Sequence, residues 1–190
     1  LYLPDNAAVG DHPVKIRVTD NAAAADSLEY TLTVANTNDA PTITWTPVTA
    51  ATEDEEYSHT LSVSDPDAGE TFAWELVTAP AGMTLSPLSS STPLLLYLPD
   101  NAAVGDHPVK IRVADNAGAA DSVEYTLTVT NVNDAPVVGD IPGETILEGG
   151  AFATVALDDY VDDPDNADSE MSWSWSGNTD LSVSIDGSRV

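Results

Sequence analysis

The stretch from Leu1 to Pro41 recurs almost unchanged from Leu96 to Pro136, with 36 of 41 positions identical at an offset of 95 residues. The five differences are Thr19/Ala114, Ala23/Gly118, Leu28/Val123, Ala35/Thr130 and Thr37/Val132, all small changes that suit strand or loop positions. A repeat this long marks tandem duplication of one structural module, so the chain is read unit by unit. Its 190 residues are twice the period and open in mid-unit without Met, and the expected organisation is a window onto a longer array.

Within each copy apolar side chains occupy alternate positions, the period of a half-buried strand. Val14, Ile16 and Val18 share one face while Lys15 and Arg17 take the other; Leu28, Tyr30, Leu32 and Val34 repeat the pattern. Between the copies lie Tyr57, His59, Leu61 and Val63, then Phe72, Trp74 and Leu76, then Met83 and Leu85. No segment has helical spacing. Strands are expected near 42–47, 56–64, 71–77, 83–86, 94–98, 108–114 and 122–130. Seven short strands bounded by Gly, Pro and Asp turns predict an all-β chain of tandem immunoglobulin-like repeats, each a sandwich of two antiparallel sheets. Trp74, Leu61, Val63, Ile111, Tyr125 and Leu127 are the predicted core.

The same reading sets unit boundaries. Residues 1–39 are expected to be the C-terminal part of one repeat, 40–134 a complete repeat, and 135–190 the N-terminal part of a more divergent one. In that last part Met171, Trp173 and Trp175 stand where Phe72, Trp74 and Leu76 stand in the complete repeat, and four or five early strands are expected. Pro41 and Pro136 stiffen the linkers, which favours a semi-rigid rod.

Thirty-two acidic residues oppose five basic ones, for a formal net charge of −27. That balance argues against nucleic acid, whose phosphates need Lys and Arg, and against an anionic membrane surface. Left uncompensated it would strain the compact state by self-repulsion. There is no Cys, hence no disulfide and no thiolate chemistry. No apolar run approaches the ~20 residues that span a bilayer, so direct membrane insertion is not expected.

The carboxylates gather in turns. Threading the sandwich up and down places Asp65, Asp67 and Asp115 at one end of the complete repeat, facing the incoming linker with Asn38 and Asp39. Glu53, Asp100, Asn133 and Asp134 fall at the other end, facing Asp163 and Asp165 of the next repeat. Crowded carboxylates repel unless a cation sits among them, and several hard oxygens suit Ca²⁺, which takes about 6–8. Mg²⁺ prefers fewer protein ligands. Solvated acidic caps and a uniformly acid-coated surface are the plain alternatives, and the clustering at the ends favours calcium over both.

The segments HPVKIRVTDNAAAADSLEYTLTVANTNDAPT and TEDEEYSHTLSVSDPDAGETFAWEL resemble cadherin-type repeats, of the dystroglycan-type and Ig-like varieties strung along large bacterial surface and secreted proteins. The resemblance rests on the NxNDAP linker, the DxD after the second strand, the VTD or VAD before the last strand and the lone Glu after the first. It implies Ca²⁺ held between successive repeats by Glu53, Asp65, Asp67, Asn38, Asp39, Asp115, Asn133, Asp134, Asp163 and Asp165. Asp20 and Glu148 match the motifs as well. Asn36 and Asn131 replace the Asp that opens the cadherin linker, and Pro99-Asp100-Asn101 replaces the family's acidic turn. The resemblance therefore implies about one or two ions per joint, fewer than in cadherins.

No motif points to a reaction. His12 and His107 repeat at one turn position, which fits solvated histidines better than a catalytic pair. No GxSxG, HExxH or Gly-rich phosphate loop occurs. The expected function is a non-enzymatic, calcium-binding stalk or adhesive region of an extracellular or cell-surface protein. Its expected partners are neighbouring repeats and cell-surface or extracellular glycan or protein ligands. The alternative is a carbohydrate-binding or spacer module of a secreted polysaccharide-degrading enzyme.

Overall fold

The structure, a computed structural model, describes residues 2–177 and 179–187; Arg189, one of the five cations, lies outside them. The chain divides into two compact units, Leu1–Pro99 with Ala103–Thr130, and Asp100–Ala102 with Asn131–Val190.

The first unit opens with a hairpin of β1 (Gly10–Thr19) and β2 (Ala25–Val34). There follow β3 (Thr42–Ile43), β4 (Ala50–Thr52), β5 (Tyr57–Thr60), β6 (Val63–Ser64), β7 (Ala73–Thr78), β8 (Thr84–Ser86) and β9 (Leu94–Tyr97). A second hairpin, β10 (Gly105–Ala114) and β11 (Ala120–Thr130), completes it. One sheet runs β4-β11-β10-β7 and another β5-β9-β8, with a separate β3-β6 ladder. The chain is all-β, and among the described residues its only helical pieces are 3₁₀ turns of three or four residues.

The alternation seen in the sequence becomes a core. Leu61, Leu95, Val109, Ile111, Val113 and Leu127 are fully buried, with Trp74 packed among them. The Trp74 indole N–H donates to the Ser90 carbonyl at 2.8 Å, which satisfies its one polar atom. Val63 and Tyr125, expected inside, are half-buried. Val63 lies on the short β3-β6 ladder. The Tyr125 hydroxyl stands 3.2 Å from that of Tyr57, which itself donates to the Val48 carbonyl at 2.6 Å.

Three expectations are corrected. The predicted strand 42–47 pairs only at Thr42–Ile43, with β6. Pro47, which has no N–H to give a ladder, lies in the break, and the chain then joins the other sheet as β4. There β4 runs parallel to β11, so the sheets are not wholly antiparallel. The predicted strand 56–64 divides into β5 and β6. Between them the Leu61 amide turns to the Pro93 carbonyl at 2.9 Å and the Ser62 carbonyl accepts from Thr44.

The two hairpins share one register and differ in surroundings. Lys15 pairs with Glu29 across β1 and β2 as Lys110 pairs with Glu124 across β10 and β11. His12 and His107 are not merely solvated: each donates a ring N–H to a 3₁₀-turn carbonyl, Ala8 and Ala103, at 2.6 Å. The Ala23/Gly118 difference falls where φ is positive in both turns, +69° and +93°.

The second unit holds β12 (Val137–Val138), antiparallel to β13 (Val161–Asp162), and 3₁₀ turns at Leu157–Tyr160 and Asp168–Glu170. The four or five early strands expected here are reduced, among the described residues, to this ladder and single-residue bridges at Ala156 and Asp186. In the first unit, β4 and β7 exist because β11 and β10 offer them backbone partners. No such hairpin lies among the described residues of 131–187, so a strand-like pattern such as Met171-Ser172-Trp173-Ser174-Trp175 has no ladder.

Candidate metal centre

At one end of the sandwich the predicted residues meet. The Asn38 side-chain amide donates to Asp115 Oδ2 at 2.9 Å, and the Asp39 backbone N–H donates to Asp67 Oδ2 at 2.7 Å. The Asp67 amide in turn donates to Asp65 Oδ1 at 2.8 Å, closing the Asp65-Pro66-Asp67 turn on itself. Asp115 follows β10, and its Oδ1 accepts the amides of Ala117 and Ala119, both at 2.9 Å, the self-bonding turn that Asp favours. With the Asn38 side chain also donating to the Asp39 carbonyl at 2.8 Å, Asn38, Asp39, Asp65, Asp67 and Asp115 are one hydrogen-bonded group.

Burial makes the group demanding. Asp67 and Asp115 are 7% and 6% exposed. The Asn38 amide beside Asp115 is the main reason its carboxyl lies below the usual range, aided by the turn amides against the opposing effect of burial. Three carboxylate oxygens in the six residues after β6, Asp65 Oδ2, Asp67 Oδ1 and Glu70 Oε2, are buried and accept no hydrogen bond. A buried carboxylate oxygen without a partner is costly, and a cation is the ordinary remedy.

Glu53, at the other end of this unit, is 1% exposed, and its amide donates to the Thr130 carbonyl at 3.1 Å. Its neighbour Asp54 sits at φ +60° and donates to the Pro99 carbonyl.

The second unit repeats the arrangement. The Asp134 amide donates to Asp165 Oδ2, the Asp165 amide to Asp163 Oδ1 at 2.9 Å, and the Asn133 side chain to the Asp134 carbonyl at 2.6 Å. The carboxyl of Asp165 is held below the usual range chiefly by the Asp134 amide, with Asn131 and Asn101 side chains assisting. Asp100, an expected ligand, is exposed. Its neighbour makes the contact instead: Asn101 Nδ2 donates to Asp165 Oδ1 at 2.6 Å. Asn6, the same residue of the first copy, donates to Asp39 Oδ2 at 2.7 Å. The Pro-Asp-Asn turn before each 3₁₀ segment was the visible signal for these asparagines, and Glu70 stood in sequence only three residues after Asp67.

Residues 40–130 match the family described as Putative Ig domain. They form an Ig-like domain. Solved structures extend the likeness to cadherins. The protocadherin GammaB4 extracellular domain matches with a TM-score of 0.59 and 22% identity, over 88% of this chain and 28% of that one. Protocadherin Gamma B2 extracellular cadherin domains 1–5 match with a TM-score of 0.56 and 21% identity, over 72% of this chain and 28% of that one. Domains 3–6 of the same protein give 0.56 and 21%, over 75% and 39%. These identities establish the fold alone, Ig-like and cadherin-like, and the chain spans well under half the length of each structure. No curated protein matches the sequence.

In the Ig-like domain the donor set suits a hard cation: the unpartnered Asp65, Asp67 and Glu70 oxygens are all carboxylate. Among the described residues no three His, Cys, Asp or Glu side chains stand close enough together to hold a metal as they are. The Asp115 and Asp67 oxygens that face the linker are occupied by Asn38 and Asp39 instead. No helix among the described residues is long and apolar enough to cross a membrane.

Proposed function

We propose that the chain is a non-enzymatic, extracellular array of Ig-like, cadherin-like repeats in which Ca²⁺ binds where a linker enters a sandwich and stiffens that joint. The observation that carries this reading is the set of buried, unpartnered carboxylate oxygens on Asp65, Asp67 and Glu70. They lie in the loop where Asp67 Oδ2 already holds the linker through the Asp39 amide and Asp65 Oδ1 closes the turn on the Asp67 amide. Asp65, Asp67, Glu70 and Asp115 would hold the ion, with Asn38 and Asp39 bringing the linker to it. The ion would supply positive charge to a chain of net charge −27. In the second unit, Asn133, Asp134, Asp163 and Asp165 are the corresponding residues. An adhesive or spacing role in a cell-surface or secreted protein follows from a rod whose stiffness depends on calcium.

The test is calcium-dependent melting of the full chain after chelation. With a dissociation constant in the weak extracellular class of about 10⁻⁴–10⁻³ M, 10 mM Ca²⁺ stabilises by roughly 1.4–2.7 kcal/mol. For a repeat of this size that is a rise of about 6–20 °C in Tm. Asp67→Asn keeps the shape and an acceptor for the Asp39 amide but removes the charge. It should abolish the rise while leaving the chelated protein as stable as before or more so. A variant equally destabilised with and without Ca²⁺ would mean that Asp67 serves only the linker, and no rise in the parent chain would end the proposal.

A further inference from the structure

The first strand of the Ig-like domain changes sheets partway along, and the crossing leaves two backbone edges open. β3 pairs with β6, and the Thr44 amide still donates to the Ser62 carbonyl at 3.0 Å, but the chain then crosses to β11 as β4. Among the described residues β5 has a strand beside it only on the β9 side, and β4 only on the β11 side. The Leu61 amide bonds toward β9, at the Pro93 carbonyl. Antiparallel ladders alternate, so the backbone N–H and C=O of Ser58 and Thr60 point the other way, along the vacant edge. On β4 the Thr49 carbonyl and the Glu53 amide bond to β11, which turns the Ala50 backbone groups outward in the same manner.

Between these edges lies a cleft of about 250 Å³, with Val48, Ala51, Tyr57 and His59 in its wall and Glu55 and Glu56 beside them. Its volume falls below the roughly 300–1,000 Å³ of small-molecule pockets and suits the side chains on one face of a single strand. Glu55 and Glu56 are exposed and enter no ion pair among the described residues. No Lys or Arg occurs between Arg17 and Lys110. Open strand edges are ordinarily blunted by Lys, by Pro or by a covering loop. This one instead carries two carboxylates at one end and hydroxyl side chains along it, which repels acidic chains and favours basic ones. The chain's own described cations are already committed, Lys15 and Arg17 in β1 and Lys110 and Arg112 in β10, each strand held in a hairpin. The fitting occupant therefore belongs to a different protein.

We infer that this cleft receives an extended, basic segment of a partner protein, which adds antiparallel to the vacant edge of β5. Backbone hydrogen bonds to Ser58 and Thr60 supply the affinity, and alternate side chains supply the specificity. Residues opposite one another in a ladder share a face. Partner residues opposite Ser58 and Thr60 thus point outward, where Lys or Arg meets Glu55 and Glu56. The residues between them are small and apolar and turn inward against Val48, Ala51 and Tyr57. Opposite charge steers the encounter and excludes acidic competitors. The site uses none of the residues assigned to Ca²⁺ and needs no ion, so it stands apart from that reading.

The experiment titrates a blocked heptapeptide alternating Lys with Val into the full chain in excess chelator, followed by calorimetry and amide hydrogen exchange. Binding should saturate and protect the Ser58 and Thr60 amides. N-methylating the peptide at its Lys positions, which face Ser58 and Thr60, should abolish binding, whereas N-methylating the Val positions should leave it. Glu55→Gln with Glu56→Gln should weaken binding about tenfold at low salt, the loss of two exposed ion pairs. Ser58→Pro removes an N–H on the vacant edge only, a place where a strand tolerates proline, and should abolish binding. The peptide variants probe the same edge without altering the protein. No saturable binding up to millimolar peptide, equal losses from the two N-methyl sets, indifference to the Glu pair, or equal competition by lysine amide alone would each overturn the inference.

Discussion

Replacing one isoleucine in each hairpin tests whether burial, and not local sequence, decides what these strands contribute. Ile111 is 0% exposed at the centre of the four-stranded sheet, opposite Leu76 on β7 and Val123 on β11. Ile111→Ala removes three carbons, each worth about 0.8 kcal/mol in transfer. Adding the term for a cavity that a two-sided sheet cannot close brings the loss to about 3–4 kcal/mol, inside the usual range for such truncations. For a repeat of this size the midpoint should fall by at least about 12 °C. Ile16→Ala makes the same chemical change at a side chain already 53% exposed. Its effect should stay below about 1 kcal/mol and leave the sandwich untouched. Urea unfolding read by amide hydrogen exchange separates the two, because β10 and β11 amides report the sandwich and β1 and β2 amides the hairpin. Equal losses from the two substitutions, or a loss under about 1 kcal/mol from Ile111→Ala, would show that burial does not govern what these strands contribute.

The folded pKa values of Asp115 and Asp165 are depressed, so the stability they supply is complete above the unfolded carboxyl value of about 3.9. It is lost as pH falls through the folded values. Acid titration of Tm should therefore show a flat region above pH ~4 and a fall below it, and Asp115→Ala should shrink the fall. Tyr57→Phe orphans the Val48 carbonyl and should cost roughly 1–2 kcal/mol, more than Tyr125→Phe, whose hydroxyl makes the longer contact; denaturation of the two variants decides. Gly118→Ala puts a Cβ at φ +93° with open space around it, so its cost of about 1 kcal/mol should be purely conformational and appear as a simple midpoint shift.

The sandwich was legible because alternation and turn residues act locally and agree. Val109, Ile111 and Val113 announce an inward face whatever their partners, and Pro and Asp mark where each strand must stop. Pairing was less legible. Nothing in Thr42 to Thr52 says that the chain must leave β6 and run parallel to β11, since that follows from which backbone edge is vacant after the rest has folded. The same physics explains residues 171–176, whose pattern is as strand-like as that of β7 but whose backbone has no hairpin to bond to among the described residues. Period tells which face a side chain takes; a ladder needs a second chain segment at the right distance.

The acidic ends show the same division between what residue type reveals and what only placement can. Asp65, Asp67, Asp134 and Asp165 were found by charge and turn chemistry, and the structure joins them twice through one contact, a linker Asp amide on the second carboxylate of an Asp-Pro-Asp turn. The two sites then part company over an asparagine. At Asp165 both oxygens are occupied, one by the Asp134 amide and the other by Asn101. At Asp67 one oxygen holds the Asp39 amide while the other is buried and unpartnered, because Asn6 has gone to Asp39 instead. A cation entering at Asp165 must first displace an amide, which opposes its binding. A cation entering at Asp67 relieves a buried charge that nothing else neutralises. Two turns written with nearly the same residues are therefore unequal, and the first is the one at which the proposed ion would bind.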